Sequence, residues 1–175
     1  MGERLDTAVG EDLERSHKRV LGGIVVRFRS GGVDMTSPTA EVRAFFDEFE
    51  RNSAELAIDR IAAQFADTFM NADPQGVMPV PKAAFIATLP QREKMFQAAG
   101  IRRIRLAAVR ETVLDPMYIL ASTDWIAESI DGAEIPLASS FILRRQASSF
   151  VVVFYLNHQD IAAVLAARAP KADTG

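Results

Sequence analysis

Residues 101–156 read IRRIRLAAVRETVLDPMYILASTDWIAESIDGAEIPLASSFILRRQASSFVVVFYL, and this stretch decides the fold. Four segments within it, Ile101–Leu114, Met117–Ile130, Glu134–Arg145 and Phe150–Leu156, are rich in β-branched and aromatic residues. Such side chains suit a pleated, half-buried surface. Asp115-Pro116, Asp131-Gly132 and Gln146–Ser149 interrupt them. An Asp-Gly pair is a strong hairpin signal, because the tight turn needs positive φ at its centre. The stretch therefore predicts consecutive antiparallel strands in a meander.

Upstream the period changes. Ser37 is a candidate N-cap with Pro38 at the first helical position. Val42, Phe45, Phe46 and Phe49 follow at i, i+3, i+4 and i+7, which is one helical face. Asn52-Ser53 ends this helix, and Ala57, Ile61, Ala62 and Phe65 repeat the spacing in a second one, with Phe69 continuing the apolar contacts. Asp73-Pro74-Gln75-Gly76 predicts a turn. Pro81–Gly100 reads as one broken helix or two short ones, since Pro90 opposes an uninterrupted helix and Gly100 is a good terminator. After the strands, Asn157 is a candidate cap for a short helix, Gln159–Arg168, with Ile161, Val164 and Leu165 on one face.

Helices first and strands later predict an α+β chain. The expected architecture is a cone-shaped roll: one curved antiparallel sheet with N-terminal helices packed over its concave face. The expected domain spans residues 35–169, followed by a polar tail, 170–175. Residues 1–34 read as an extension, with a short helix at Asp12–Val20 and a short strand at Ile24–Phe28 before Ser30-Gly31-Gly32 breaks the chain. Met35 stands close to the expected start of the domain, so the extension is either the product of an upstream start codon or an N-terminal arm packed on the domain or a partner.

Composition narrows the function classes. The chain has 175 residues, 49% of them hydrophobic, enough for a core without disulfide or metal staples. It contains no cysteine, which removes disulfides, thiolate metal sites and cysteine nucleophiles and fits a cytoplasmic setting. The net charge is −3, whereas nucleic-acid binders usually carry a basic face. The nearest such feature, Arg102, Arg103, Arg105 and Arg110, alternates with apolar residues and reads as a solvated sheet face or edge. No apolar run reaches the roughly 20 residues of a membrane span. Val20–Val26 follows basic residues but contains Gly22-Gly23 and leads to no small-residue cleavage site, so export is not expected.

Several local segments carry a family likeness: Phe65-Ala66-Asp67, Ala72-Asp73-Pro74-Gln75-Gly76, Asp124-Trp125, Phe141-Ile142-Leu143-Arg144-Arg145, and Phe150–Leu156 leading into Asn157-His158-Gln159-Asp160. Their order and spacing over Ser37–Ala167 resemble the nuclear transport factor 2-like superfamily. That resemblance implies a cavity between helices and concave sheet, and often a homodimer formed through the sheet. The superfamily includes ketosteroid isomerases, polyketide cyclases, dehydratases and non-enzymatic pocket or dimer modules, so fold alone does not settle function.

Three titratable residues are candidate acid–base groups. Asp73 sits in a setting that resembles the segment carrying the isomerases' general base; the alternative is a turn residue bound to its own backbone. The resemblance places Phe49 where the isomerases use tyrosine, and Ser140-Phe141 where they use an acid, so their enolate-stabilising pair is missing and steroid isomerisation is not expected. Asp124 is unusual in mid-strand; it serves either chemistry or a cross-strand pair with Arg103, Arg105 or Arg144. His158 is either a pH-sensitive group or a helix-start residue bonded locally. Phe45, Phe46, Phe49, Phe65, Phe69, Phe96, Trp125, Phe141 and Tyr155 are candidate walls of an apolar ligand pocket, or simply core. Two distant histidines, His17 and His158, offer no metal spacing, and no nucleotide or nucleophile-elbow motif is present, so no metal or cofactor is expected. The sequence thus predicts a homodimeric small-molecule-binding domain. The alternatives are a cyclase, isomerase or dehydratase, and a dimerisation module with a filled cone. The strands' apolar residues on both faces, as in Ile142-Leu143 and Val152-Val153, motivate the dimer.

Overall fold

The computed structural model describes residues 37–167. Their elements run α1 (Ala40–Ala54), α2 (Ile58–Ala63), β1 (Phe65–Asp73), β2 (Gly76–Pro81), α3 (Lys82–Ala98), β3 (Ile101–Val113), β4 (Tyr118–Ser129), β5 (Glu134–Gln146), β6 (Ser149–Asn157) and α4 (Ile161–Ala166). The expectations for residues 1–34 and for the 170–175 tail lie outside the described residues.

The six strands form one sheet in the order β2-β1-β6-β5-β4-β3. β3 to β6 are the antiparallel meander that residues 101–156 predict. Asp131-Gly132 turns β4 into β5, with Gly132 at φ 84° and the Asp131 carboxylate accepting the Ala133 N–H at 3.0 Å. β4 shows the alternation most cleanly: Ile119, Ala121, Thr123, Trp125 and Ala127 are buried, while Leu120, Ser122, Asp124 and Ile126 face the other way. Register shifts at Leu106/Ala108 and Ile142/Leu143 insert extra residues, and such bulges bend strands. The result is a curved but unclosed sheet with helices over its inner face. Val42, Phe45 and Phe46 of α1, Ile61 of α2, and Leu89 and Phe96 of α3 share one core with the inward strand residues.

Four details depart from the sequence-based expectation. Phe65 and Phe69 do not extend α2 but belong to β1, which pairs antiparallel with β2 and parallel with β6. The two buried rings are four residues apart, a spacing that shares one face in a strand as well as in a helix, so the sequence pattern does not distinguish the two. The sheet is therefore six-stranded and mixed, not a purely antiparallel four-stranded one. β2, with Pro79 and Pro81, is tolerable as a strand because it is an edge that pairs with β1 alone. The α1 cap is Thr39 rather than Ser37. Its N–H and hydroxyl both donate to the buried Glu111 carboxylate of β3, at 2.9 and 3.0 Å, which fixes where the helix begins. α3 is a single helix that passes through Pro90, whose missing N–H falls on an exposed side. α4 is capped by Asp160, which accepts the Ala163 N–H at 3.0 Å; Asn157 has another task.

Candidate functional site

A cavity of about 200 Å³ lies between the concave sheet face and the helices. For scale, an apolar cavity of about 150 Å³ admits benzene. Each wall follows from the periodicities above. α1 contributes Phe49; α3 contributes Phe85, Leu89 and Phe96; the inward positions of β4, β5 and β6 contribute Trp125, Leu137, Phe141 and Tyr155. The rings brace one another: Phe49 meets Trp125 at 6.0 Å and Phe141 at 5.7 Å, and Phe141 stacks on Tyr155 at 4.8 Å between centroids.

A few polar groups interrupt this wall. The Trp125 indole N–H donates to Thr123 Oγ1 at 2.7 Å, and that hydroxyl donates to the Ser139 carbonyl at 3.2 Å, so the indole is satisfied within the protein. The Tyr155 hydroxyl donates to Asn157 Oδ1 at 2.7 Å. This leaves Asn157 Nδ2 and the Ser139 hydroxyl, both on cavity-lining residues, without a hydrogen-bond partner among the described residues. A ligand oxygen is the natural partner for both.

The mouth is charged. Glu50, Ser53 and Ala54 at the end of α1, Arg92 and Glu93 on α3, and Arg102 and Arg103 at the start of β3 line it. Arg103 reaches Glu50 at 3.5 Å, and Arg102 pairs with Glu128 at 3.0 Å. Arg92 has no acidic partner among the described residues; its guanidinium lies 5.6 Å over the Phe96 ring.

The expected acid–base groups fall elsewhere. Asp73 closes the β1–β2 turn, where Oδ1 accepts the N–H groups of Gln75 at 2.8 Å and Gly76 at 3.1 Å. Asp124 is on the outer sheet face, opposite in direction to Trp125, and Arg110 of β3 grips it with two bonds of 2.7 and 3.1 Å. That guanidinium holds the Asp124 carboxyl below the usual carboxylate range, and the charge of His158 adds to the effect. The partner is Arg110 rather than Arg103, Arg105 or Arg144. His158 is exposed and its Nε2 meets Ser140 Oγ at 2.9 Å. None of the three lines the cavity.

Of the aromatic candidates, Phe49, Phe96, Trp125, Phe141 and Tyr155 line the cavity. Phe45, Phe46, Phe65 and Phe69 are buried in the core behind it. Sequence reasoning missed Phe85, Leu89 and Arg92, although with Phe96 they recur at helical spacing along α3. It also missed Ser139 and Asn157, which carry no signal apart from the register that pairs them across β5 and β6. Among the described residues no group of three or more His, Asp or Glu could hold a metal.

No family model and no curated protein matches the chain. Solved structures do. An NTF2-like protein of unknown function from Shewanella oneidensis superposes with a TM-score of 0.58 at 8% identity, over 70% of this chain and 99% of its own. The chain has the nuclear transport factor 2-like fold. An NTF2-like protein with a cystatin-like fold from Novosphingobium aromaticivorans gives a TM-score of 0.56 at 16% identity, over 71% of this chain and 86% of its own. ActVI-ORFA of Streptomyces coelicolor gives 0.56 at 17%, over 70% and 97%. At these identities the likeness concerns the nuclear transport factor 2-like fold and not an activity.

Proposed function

We propose that this nuclear transport factor 2-like domain binds an apolar small molecule in its cavity and acts as a homodimer. One observation carries the binding reading: a cavity with aromatic walls in which Ser139 and Asn157 keep hydrogen-bonding capacity the protein does not use. A ligand oxygen placed there meets hydrogen-bonding groups that the protein itself does not use, and a typical hydrogen bond contributes about 1 kcal/mol net. An acid–base enzyme built on Asp73, Asp124 or His158 would need those groups in the cavity wall, and all three are outside it.

The dimer reading rests on the outer sheet face. Leu120 and Ile126 of β4, Ile142 of β5 and Phe154 and Leu156 of β6 are half-buried there rather than hidden. Apolar residues gathered on one face mark an association surface. Among the described residues no helix is long and apolar enough to cross a membrane.

Camphor, a neutral bicyclic ketone of suitable size, tests the binding site. In an NMR titration of the isotopically labelled protein, shifts should concentrate at the Trp125 indole N–H, Ser139 and the Asn157 amide. Shifts confined to the outer face, or none, would refute the cavity as the site.

A further inference from the structure

We propose that the cavity selects anionic ligands, namely an apolar ring system bearing a carboxylate that sits at the mouth against Arg92. The proposal rests on the binding reading above and names its ligand class.

The mouth carries three arginines and two glutamates, and the five are not equivalent. Arg102 is committed to Glu128 at 3.0 Å, and Glu50 is approached by Arg103 at 3.5 Å. Glu93 accepts a bond from Gln97 Nε2 at 2.9 Å, which draws its carboxylate along the exposed surface of α3. Arg92 takes no such partner among the described residues. It lies over Phe96, and Phe96 is itself cavity wall, so the guanidinium is held against the apolar lining with no carboxylate to neutralise it. A planar guanidinium stacked on an aromatic ring keeps its N–H edge free for the bidentate grip on a carboxylate. The second glutamate-facing arginine, Arg103, is near enough to the same opening to add to the positive potential. A cationic ligand would meet Arg92 first and be repelled.

The two ends of the site then describe one molecule. A carboxylate meets Arg92 at the entrance, one or two rings lie among Phe49, Trp125 and Phe141, and a hydroxyl or carbonyl oxygen meets Ser139 and Asn157. The class is a hydroxy- or keto-substituted cyclic carboxylic acid.

The test compares naphthalene-2-carboxylate with 2-acetylnaphthalene, a neutral ketone of nearly the same shape, by calorimetric titration at pH 7. We expect the wild-type protein to bind the carboxylate about tenfold more tightly, as one charge-assisted bond provides. Arg92→Gln should abolish that preference, so that carboxylate and ketone bind alike, and an unchanged circular dichroism spectrum and unfolding midpoint show that the variant is folded. Arg105→Gln removes the same charge from a residue paired with Glu128 and Glu134 away from the cavity, and should preserve the preference. Equal binding of both compounds by the wild type, or a preference that survives Arg92→Gln, overturns the anion proposal while the pocket reading stands. A preference lost equally in Arg105→Gln assigns it to overall charge and also overturns the proposal. If neither compound binds, the pocket reading falls and this inference with it.

Discussion

Asp124 and Asp73 show how two carboxylates come to be structural, each for a different local reason. Asp124 is held by Arg110, and its folded pKa is lowered, first by that hydrogen-bonded pairing. A carboxyl whose folded pKa lies below its unfolded value of about 3.9 adds stability above that pH. The contribution disappears as pH falls through the folded value. Both side chains are 41% exposed, so solvent screens the pair and its worth stays under about 1 kcal/mol. We expect Asp124→Asn to cost that amount in urea unfolding at pH 7 and progressively less towards pH 2. A cost independent of pH would show that packing, not charge, is lost. Asp73 is a turn residue holding two backbone N–H groups. Asp73→Ala should cost on the order of 1 kcal/mol and leave camphor affinity unchanged. A drop in affinity without a matching loss of stability would return Asp73 to the ligand site. The sequence made Asp124 notable but not its partner, because the bulge at Leu106/Ala108 moves the register and brings Arg110 diagonally against it.

At the level of elements, Gly100 decides how α3 hands over to β3. It adopts φ 72°, and its carbonyl accepts bonds from the Ile130 N–H at 2.8 Å and Ser129 Oγ at 3.1 Å. A side chain there is strained, and its Cβ would stand 3.4 Å from Ile130 Cγ1. Gly100→Ala should therefore destabilise the fold by about 1–2 kcal/mol in denaturant unfolding. An unchanged midpoint would mean that the turn relaxes freely. This terminator was legible in the sequence, as were α1 and the four strands of the meander, because their periods are clean and their turns carry Asp, Gly or Pro. β1 and β2 were not. Buried Phe65 and Phe69 are spaced as in a helix, and the prolines of β2 argue against a strand unless its edge position is known. The cavity was half-legible for the same kind of reason. Aromatic residues on regular faces announce themselves, whereas Ser139 and Asn157 matter only once register sets them side by side.

For the whole molecule, the proposed function gives the curved sheet two uses: its inner face would enclose a ligand and its outer face would pair with a second copy. Light scattering should give a dimer at micromolar concentration, and Ile142→Glu, which puts a charge into the outer face, should give a folded monomer. A monomeric wild-type protein would remove the dimer from the account without touching the cavity. The central claim is the occupied cavity, and the chain offers its own reporter, since Trp125 is the single tryptophan and lies in the cavity wall. The most direct measurement is the fluorescence of Trp125 during a titration with camphor. The account predicts a saturable change with a Kd below about 1 mM, equivalent to roughly −4 kcal/mol; a signal that stays flat, or drifts linearly without saturating, would contradict it.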